Sequence, residues 1–208
     1  MQTKFTLFLL ATYFAAARAF TMDYYKPSSD VEPEFRNLLE SLYSSAENPT
    51  STTDFTDFFT PSGTLIVLSY TAHGPDAIIK LKQILLPPDG HKQWDHLPNI
   101  TTVYSDTETE KIYDVSGVIR STYTGGNCSA AYYKSRFTLL KNSDSSTNLD
   151  PHSGFLVLYD DYYVYPDYSP TDIPCTTKDP HEKINAIKNT MSSNSLPYSN
   201  LFTDQNRL

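Results

Sequence analysis

Apolar positions recur first at helical spacing and later in long runs rich in β-branched and aromatic residues. Phe35, Leu38, Leu39, Leu42 and Tyr43 follow the i, i+3, i+4, i+7, i+8 rule, which lines one face of a helix. Glu32-Pro33 opens that helix, since proline is tolerated in a first turn, and Asn48-Pro49 closes it. Thr52-Thr53 followed by Asp54 marks the start of a short second helix, ended by Pro61-Ser62-Gly63. Thr64–Tyr70 predicts a strand. His73-Gly74-Pro75-Asp76 turns the chain into a third helix made apolar by Ile78, Ile79, Leu81, Ile84 and Leu85, and Pro87-Pro88-Asp89-Gly90 terminates it.

Beyond Gly90 the pattern changes to strands. Trp94–Tyr104 is one. Lys111–Tyr123 and Ser129–Lys141 flank Gly125-Gly126-Asn127 and predict a hairpin. Asn142–Ser153 is a polar loop. Gly154–Tyr165 is the densest run of Val, Leu, Phe and Tyr, and is expected as the last and central strand of a curved sheet closing a small cavity. One further helix candidate spans Glu182–Thr190. The chain thus divides into four regions: 1–19 a targeting segment, 20–31 a loose arm, 32–167 one domain, and 168–208 a strap and tail.

The targeting assignment rests on Lys4, the apolar run Phe5–Ala17 and the small-x-small triplet Ala17-Arg18-Ala19, the pattern of a cleaved secretory leader. The expected location is therefore extracellular, and no later run is apolar enough to span a membrane. The chain carries 16 Lys and Arg against 24 Asp and Glu, a net charge of -8, and removal of the leader takes away two bases and no acids. Nucleic-acid and anionic-membrane partners are disfavoured. In an oxidising compartment the two cysteines, Cys128 and Cys175, are expected to form a disulfide tying the tail to the sheet. Asn99-Ile-Thr101 and Asn127-Cys-Ser129 both fit the glycosylation sequon, with Asn99 the better candidate because the second contains Cys128.

Helix, short helix, strand, helix and four strands resembles the cone-shaped α+β fold of the nuclear transport factor 2-like superfamily. Phe58-Phe59-Thr60-Pro61-Ser62-Gly63-Thr64 resembles the passage into that family's first strand. His73-Gly74-Pro75-Asp76-Ala77-Ile78 resembles its glycine-led helix start, Trp94-Asp95-His96 the entry to its second strand, and Asp161-Tyr162-Tyr163-Val164-Tyr165 the end of its last. Within the superfamily the chain is most similar to the SnoaL-like branch, particularly small fungal members. The resemblance implies a curved, mixed or antiparallel sheet packed against three N-terminal helices, and pairing of two copies through the open sheet face. Relatives include polyketide cyclases, dehydratases and isomerases as well as pure binding proteins, so the fold locates a site without naming its chemistry.

The resemblance puts His96 at the mouth or wall of the cone and points Asp161 inward, while Asp160 alternates to the other face. A carboxylate among Tyr and Phe would have a raised pKa and suit a general base. In the scytalone dehydratase branch the histidine at this place works with a second histidine on the following strand and an aspartate on the first helix. Lys111–Tyr123 holds no histidine, and Ser41-Leu42-Tyr43-Ser44-Ser45 no aspartate. The favoured expectation is that His96 hydrogen-bonds within the fold or lines a non-catalytic pocket. The pocket wall is expected from Phe59, Trp94, Tyr133, Phe137 and Tyr159, aromatic area suited to a flat ligand. No metal-ligand spacing, nucleophile elbow or phosphate loop is present, and no cofactor is expected. The residues thus favour a secreted, non-catalytic protein that binds a small hydrophobic or aromatic molecule or a partner protein. The alternative is a cofactor-independent lyase or isomerase of polyketide cyclase or dehydratase type. In it His96 and Asp161 transfer protons and Tyr43 orients the substrate.

Overall fold

The computed structural model describes residues 21–168. The expected leader, Cys175 and the helix candidate Glu182–Thr190 lie outside them. Along the described chain run β1 (Lys26–Pro27), α1 (Glu34–Glu47), α2 (Thr53–Thr56), β2 (Phe59–Val67), β3 (Tyr70–His73), α3 (Gly74–Leu85), β4 (Lys92–Asp106), β5 (Glu110–Tyr123), β6 (Cys128–Leu140) and β7 (Leu156–Tyr168). This is the expected α+β cone: one mixed sheet of seven strands in the order β1-β4-β5-β6-β7-β2-β3, with the helices on its inner face.

The helical stripe of α1 is the buried one: Phe35, Leu38, Leu39, Leu42, Tyr43 and Ala46 all face the sheet. Each large side chain removed from water this way contributes roughly 1.5–3 kcal/mol. Phe35 stacks on Tyr113 of β5 at 3.9 Å between ring centres, and Phe137 of β6 meets both Phe35 and Tyr43 edge-on at 6.2 Å. In α3, Ile78 and Leu81 are buried as the spacing predicts, whereas Ile84 is 65% exposed.

Four expectations are corrected. The segment Pro61-Ser62-Gly63 does not end α2 but lies inside β2, which begins at Phe59. Its pairing with β7 jumps from Phe59↔Leu156 to Thr64↔Leu158, so Pro61, which has no N–H to give, falls in the unpaired stretch. His73 ends a short strand, β3, paired with β2 from Val67↔Tyr70 to Thr64↔His73. Residues 21–31 are a docked arm, not a loose one. Lys26 and Pro27 pair in parallel with Ile100 and Thr101, and Met22 and Val31 are buried. That docking also removes Asn99 as a glycan acceptor: it is 8% exposed, and its Nδ2 donates to the carbonyl of Tyr24 at 2.7 Å.

The strand expected as the centre of the sheet, β7, lies between β6, antiparallel, and β2, parallel. It is irregular at its middle. Opposite β6 the register passes from Arg136↔Asp160 to Lys134↔Tyr163, so Asp161 and Tyr162 together face the single residue Ser135. An extra residue of this kind reverses the alternation of side chains beyond it.

Candidate functional site

The inner face of β4, β5, β6, β7 and β2, with the ends of α1, α2 and α3, lines a partly open cavity of about 200 Å³. Its wall is mostly apolar: Phe55, Leu65, Val67, Leu85, Trp94, Ile119, Tyr133, Tyr159 and Val164 contribute. The polar side chains reaching it include His96, Asp161, Lys82 and Lys92. The reversal in β7 is what allows Tyr159, Asp161 and Val164 all to face inward.

His96 sits mid-strand in β4 and is 5% exposed. Its backbone N–H donates to Glu47 Oε1, the last residue of α1, and its Nδ1 lies 3.1 Å from the same oxygen. A carboxylate only accepts, so Nδ1 carries the proton and Nε2 is left as the exchangeable position. Tyr43 stacks flat on the imidazole at 4.4 Å and 7°, while Tyr133 and Trp94 meet it edge-on at 5.6 Å and 6.1 Å. The ring is thereby held by one carboxylate and three aromatic side chains.

Asp161 accepts a hydrogen bond from Ser135 Oγ across the β6–β7 irregularity. Burial pushes its carboxyl up to about 6, against the opposing pull of Ser135, His96 and Tyr159. Burial likewise drives the Tyr43, Tyr133 and Tyr159 phenols well above their ordinary value, so all three stay protonated donors. Tyr133 can lie against the sheet because Gly117 opposes it: a Cβ there would stand 2.8 Å from the ring and closer still to the Leu97 carbonyl.

The structure redistributes the expected residues. Trp94, Tyr133 and Tyr159 line the cavity, and His96 and Asp161 reach it together. Tyr43, expected to orient a substrate, is fully buried behind His96 and does not line the cavity, because α1 lays it flat on the imidazole. Phe59 and Phe137, expected on the wall, are core residues: Phe59 packs on Phe55 at 5.5 Å and Phe137 on Tyr159 at 4.6 Å. The expected bridge of Cys128 to Cys175 lies partly outside the described residues. Sequence reasoning misses Glu47, Ser135, Phe55, Lys82 and Lys92. One signal for Glu47 exists: it follows Tyr43 by four positions and so shares its helix face. The other four carry no sequence pattern. Among the described residues no cluster of His, Cys, Asp and Glu is arranged to hold a metal.

No family model matches the sequence, and no curated protein does. Solved structures do resemble the fold. A provisionally named aromatic ring hydroxylase of Novosphingobium aromaticivorans shares 8% identity over 66% of this chain and 90% of its own, with a TM-score of 0.51. A provisionally named scytalone dehydratase of the same organism shares 13% over 69% and 87%, at 0.48. A protein of Catenulispora acidiphila, solved in complex with S-DNPA, shares 16% over 64% and 91%, at 0.48. At such identities the likeness is one of fold.

Proposed function

We propose that this chain, which folds as an α+β cone of the nuclear transport factor 2-like superfamily, binds a small, flat, mostly apolar molecule in its cavity. The observation that carries the reading is the cavity of about 200 Å³, apolar and aromatic over most of its wall, with a few convergent polar groups. Native mass spectrometry of the purified protein, compared with the same sample denatured, tests it. A small molecule released on denaturation is the expected result. No retained mass, together with no binding of flat aromatic probes, would overturn it.

Proton transfer on such a molecule is the second reading, favoured by the convergence of His96 and Asp161 on one mostly apolar cavity. Asp161 as carboxylate takes a proton from the carbon beside a carbonyl. With His96 as imidazolium, its Nδ1–H held by Glu47, the Nε2–H returns a proton to the same carbon of the enolate, and exchange with solvent restores the Asp161 carboxylate and the imidazolium. Deuterium exchange into 2-tetralone in D2O checks this: incorporation should occur with the unmodified protein and vanish in Asp161→Asn. Without incorporation only the binding reading stands.

Export belongs to the same proposal. A leader at 1–19 would be removed, Cys128 would bridge to Cys175, and Asn127, at the turn between β5 and β6, would carry the glycan. The leader pattern and the cysteine pair support it. The intact mass of protein secreted from a eukaryotic host should correspond to a chain beginning near Phe20 with both thiols oxidised. Retention of residues 1–19 would sink it.

A further inference from the structure

Two lysine side chains, Lys82 and Lys92, line the cavity and pair with no described acid. Lys82, on the last turn of α3, is 3% exposed, and its Nζ donates to the carbonyls of Asn48 at 2.5 Å and Ser51 at 3.3 Å. Lys92, at the start of β4, donates to the carbonyl of Leu85 at 2.9 Å and stands 5.0 Å over the Trp94 ring. Neither makes an ion pair with any described Asp or Glu, although Lys111, Lys141, Arg120 and Arg136 all do. Burial lowers the pKa of both, that of Lys82 to about 8, and no neighbouring charge opposes the effect.

An ammonium has three donors. Lys82 spends two on carbonyls and Lys92 spends one, which leaves donors at a wall that both side chains line. A buried cation without a counter-ion is costly, and none of the described Asp and Glu residues pairs with either lysine. We infer that the molecule bound in the cavity is a small aromatic acid, its one anionic oxygen group seated between Lys82 and Lys92 and its flat body lying along Trp94 and Tyr133 towards Asp161. A second acidic group would meet the Asp161 carboxylate on the same wall and be repelled, so the ligand is a monoanion. The inference rests on the cavity being a ligand site.

The probes are 2-naphthoate and 2-naphthamide, nearly equal in shape and different in charge, titrated calorimetrically near pH 7. Naphthoate should bind about 10-fold tighter, and Lys82→Met should cancel that advantage by weakening naphthoate far more than naphthamide. Should Lys82→Met fail to fold, Lys92→Met and the pH dependence of the unmodified protein replace it. Naphthoate affinity should then fall as pH rises through about 8, where Lys82 loses its proton. The other titratable groups at the wall are His96 with Glu47, Lys92, Tyr133, Tyr159 and Asp161, and naphthamide serves as the control for them. Equal affinity for both probes, or naphthoate binding indifferent to Lys82→Met, would overturn the inference and leave the cavity reading standing, with Lys82 only a cap on the end of α1. Binding of neither probe would overturn both.

Discussion

Asp160 and Asp161 are neighbours on one strand, and they live in different solvents. Asp160 faces outward opposite Arg136, in a cluster where the guanidinium lies 3.8 Å over Tyr104 and 4.6 Å from Tyr162. Tyr162 Oη donates to Asp114 at 2.9 Å, and Arg136 pairs with the same carboxylate at 3.6 Å. Asp161 faces inward to Ser135, Tyr159 and His96. Burial raises both carboxyls, but on the outside a fixed cation pulls back, while on the inside the partners are chiefly neutral hydroxyls. Adjacent residues of the same type thus acquire different chemistry from the face they are on. The outer face is a network of compensated charges near water, and on the inner face burial outweighs the partners of Asp161 and raises its carboxyl.

The sharpest way to break this contrast is to truncate one residue on each face. Phe137→Ala empties the packed inner layer beside Tyr43 and Tyr159 and should cost about 3–5 kcal/mol. Arg136→Ala, its outward neighbour, should cost far less. Urea unfolding of the two variants checks this, and equal losses would mean the faces are not energetically distinct.

Next in size is the pH dependence of stability. The Asp161 carboxyl is raised in the folded state from 3.8 to about 6, so the folded protein holds a proton there that the unfolded chain has released. This contribution is full below the unfolded value and is lost as pH rises through about 6, a change on the order of 3 kcal/mol. Asp161→Asn should flatten the pH dependence of stability across that window, so that its difference from the unmodified protein changes with pH, and Asp160→Asn should alter the profile much less. Thermal or urea midpoints measured at both ends of the window decide it.

Glu47→Gln sharpens the account of His96. The amide oxygen can still accept from the backbone N–H, but the charge beside Nδ1 is gone. A loss of about 1–2 kcal/mol is expected. Nitrogen NMR of the imidazole should show the neutral tautomers redistributed away from Nδ1–H. An unchanged tautomer would remove Glu47 from the site. The smallest effect belongs outside: Tyr104→Ala, at a ring 57% exposed, should cost only about 0.5–1 kcal/mol through the lost contact with Arg136.

What the sequence alone determined is the three N-terminal helices and the long strands, and through the resemblance the fold they build. The stripe Phe35, Leu38, Leu39, Leu42 and Tyr43 had to face a core, and the hairpin about Gly125-Gly126 and the run ending β7 had to be strands. Local periodicity and turn chemistry decide these matters. It also singled out His96 and Asp161, by resemblance and by residue type. Only the tertiary structure decided which side chains share a space with them. Phe59 and Phe137 went to the core while Phe55, Lys82 and Lys92 came to the wall, since helix placement on the sheet depends on contacts far apart in sequence. Glu47 reached His96 across 49 positions. The extra residue at Asp161–Tyr162 settled which face each side chain takes, and such an irregularity leaves no trace in an alternating pattern because it exists only relative to the strand beside it.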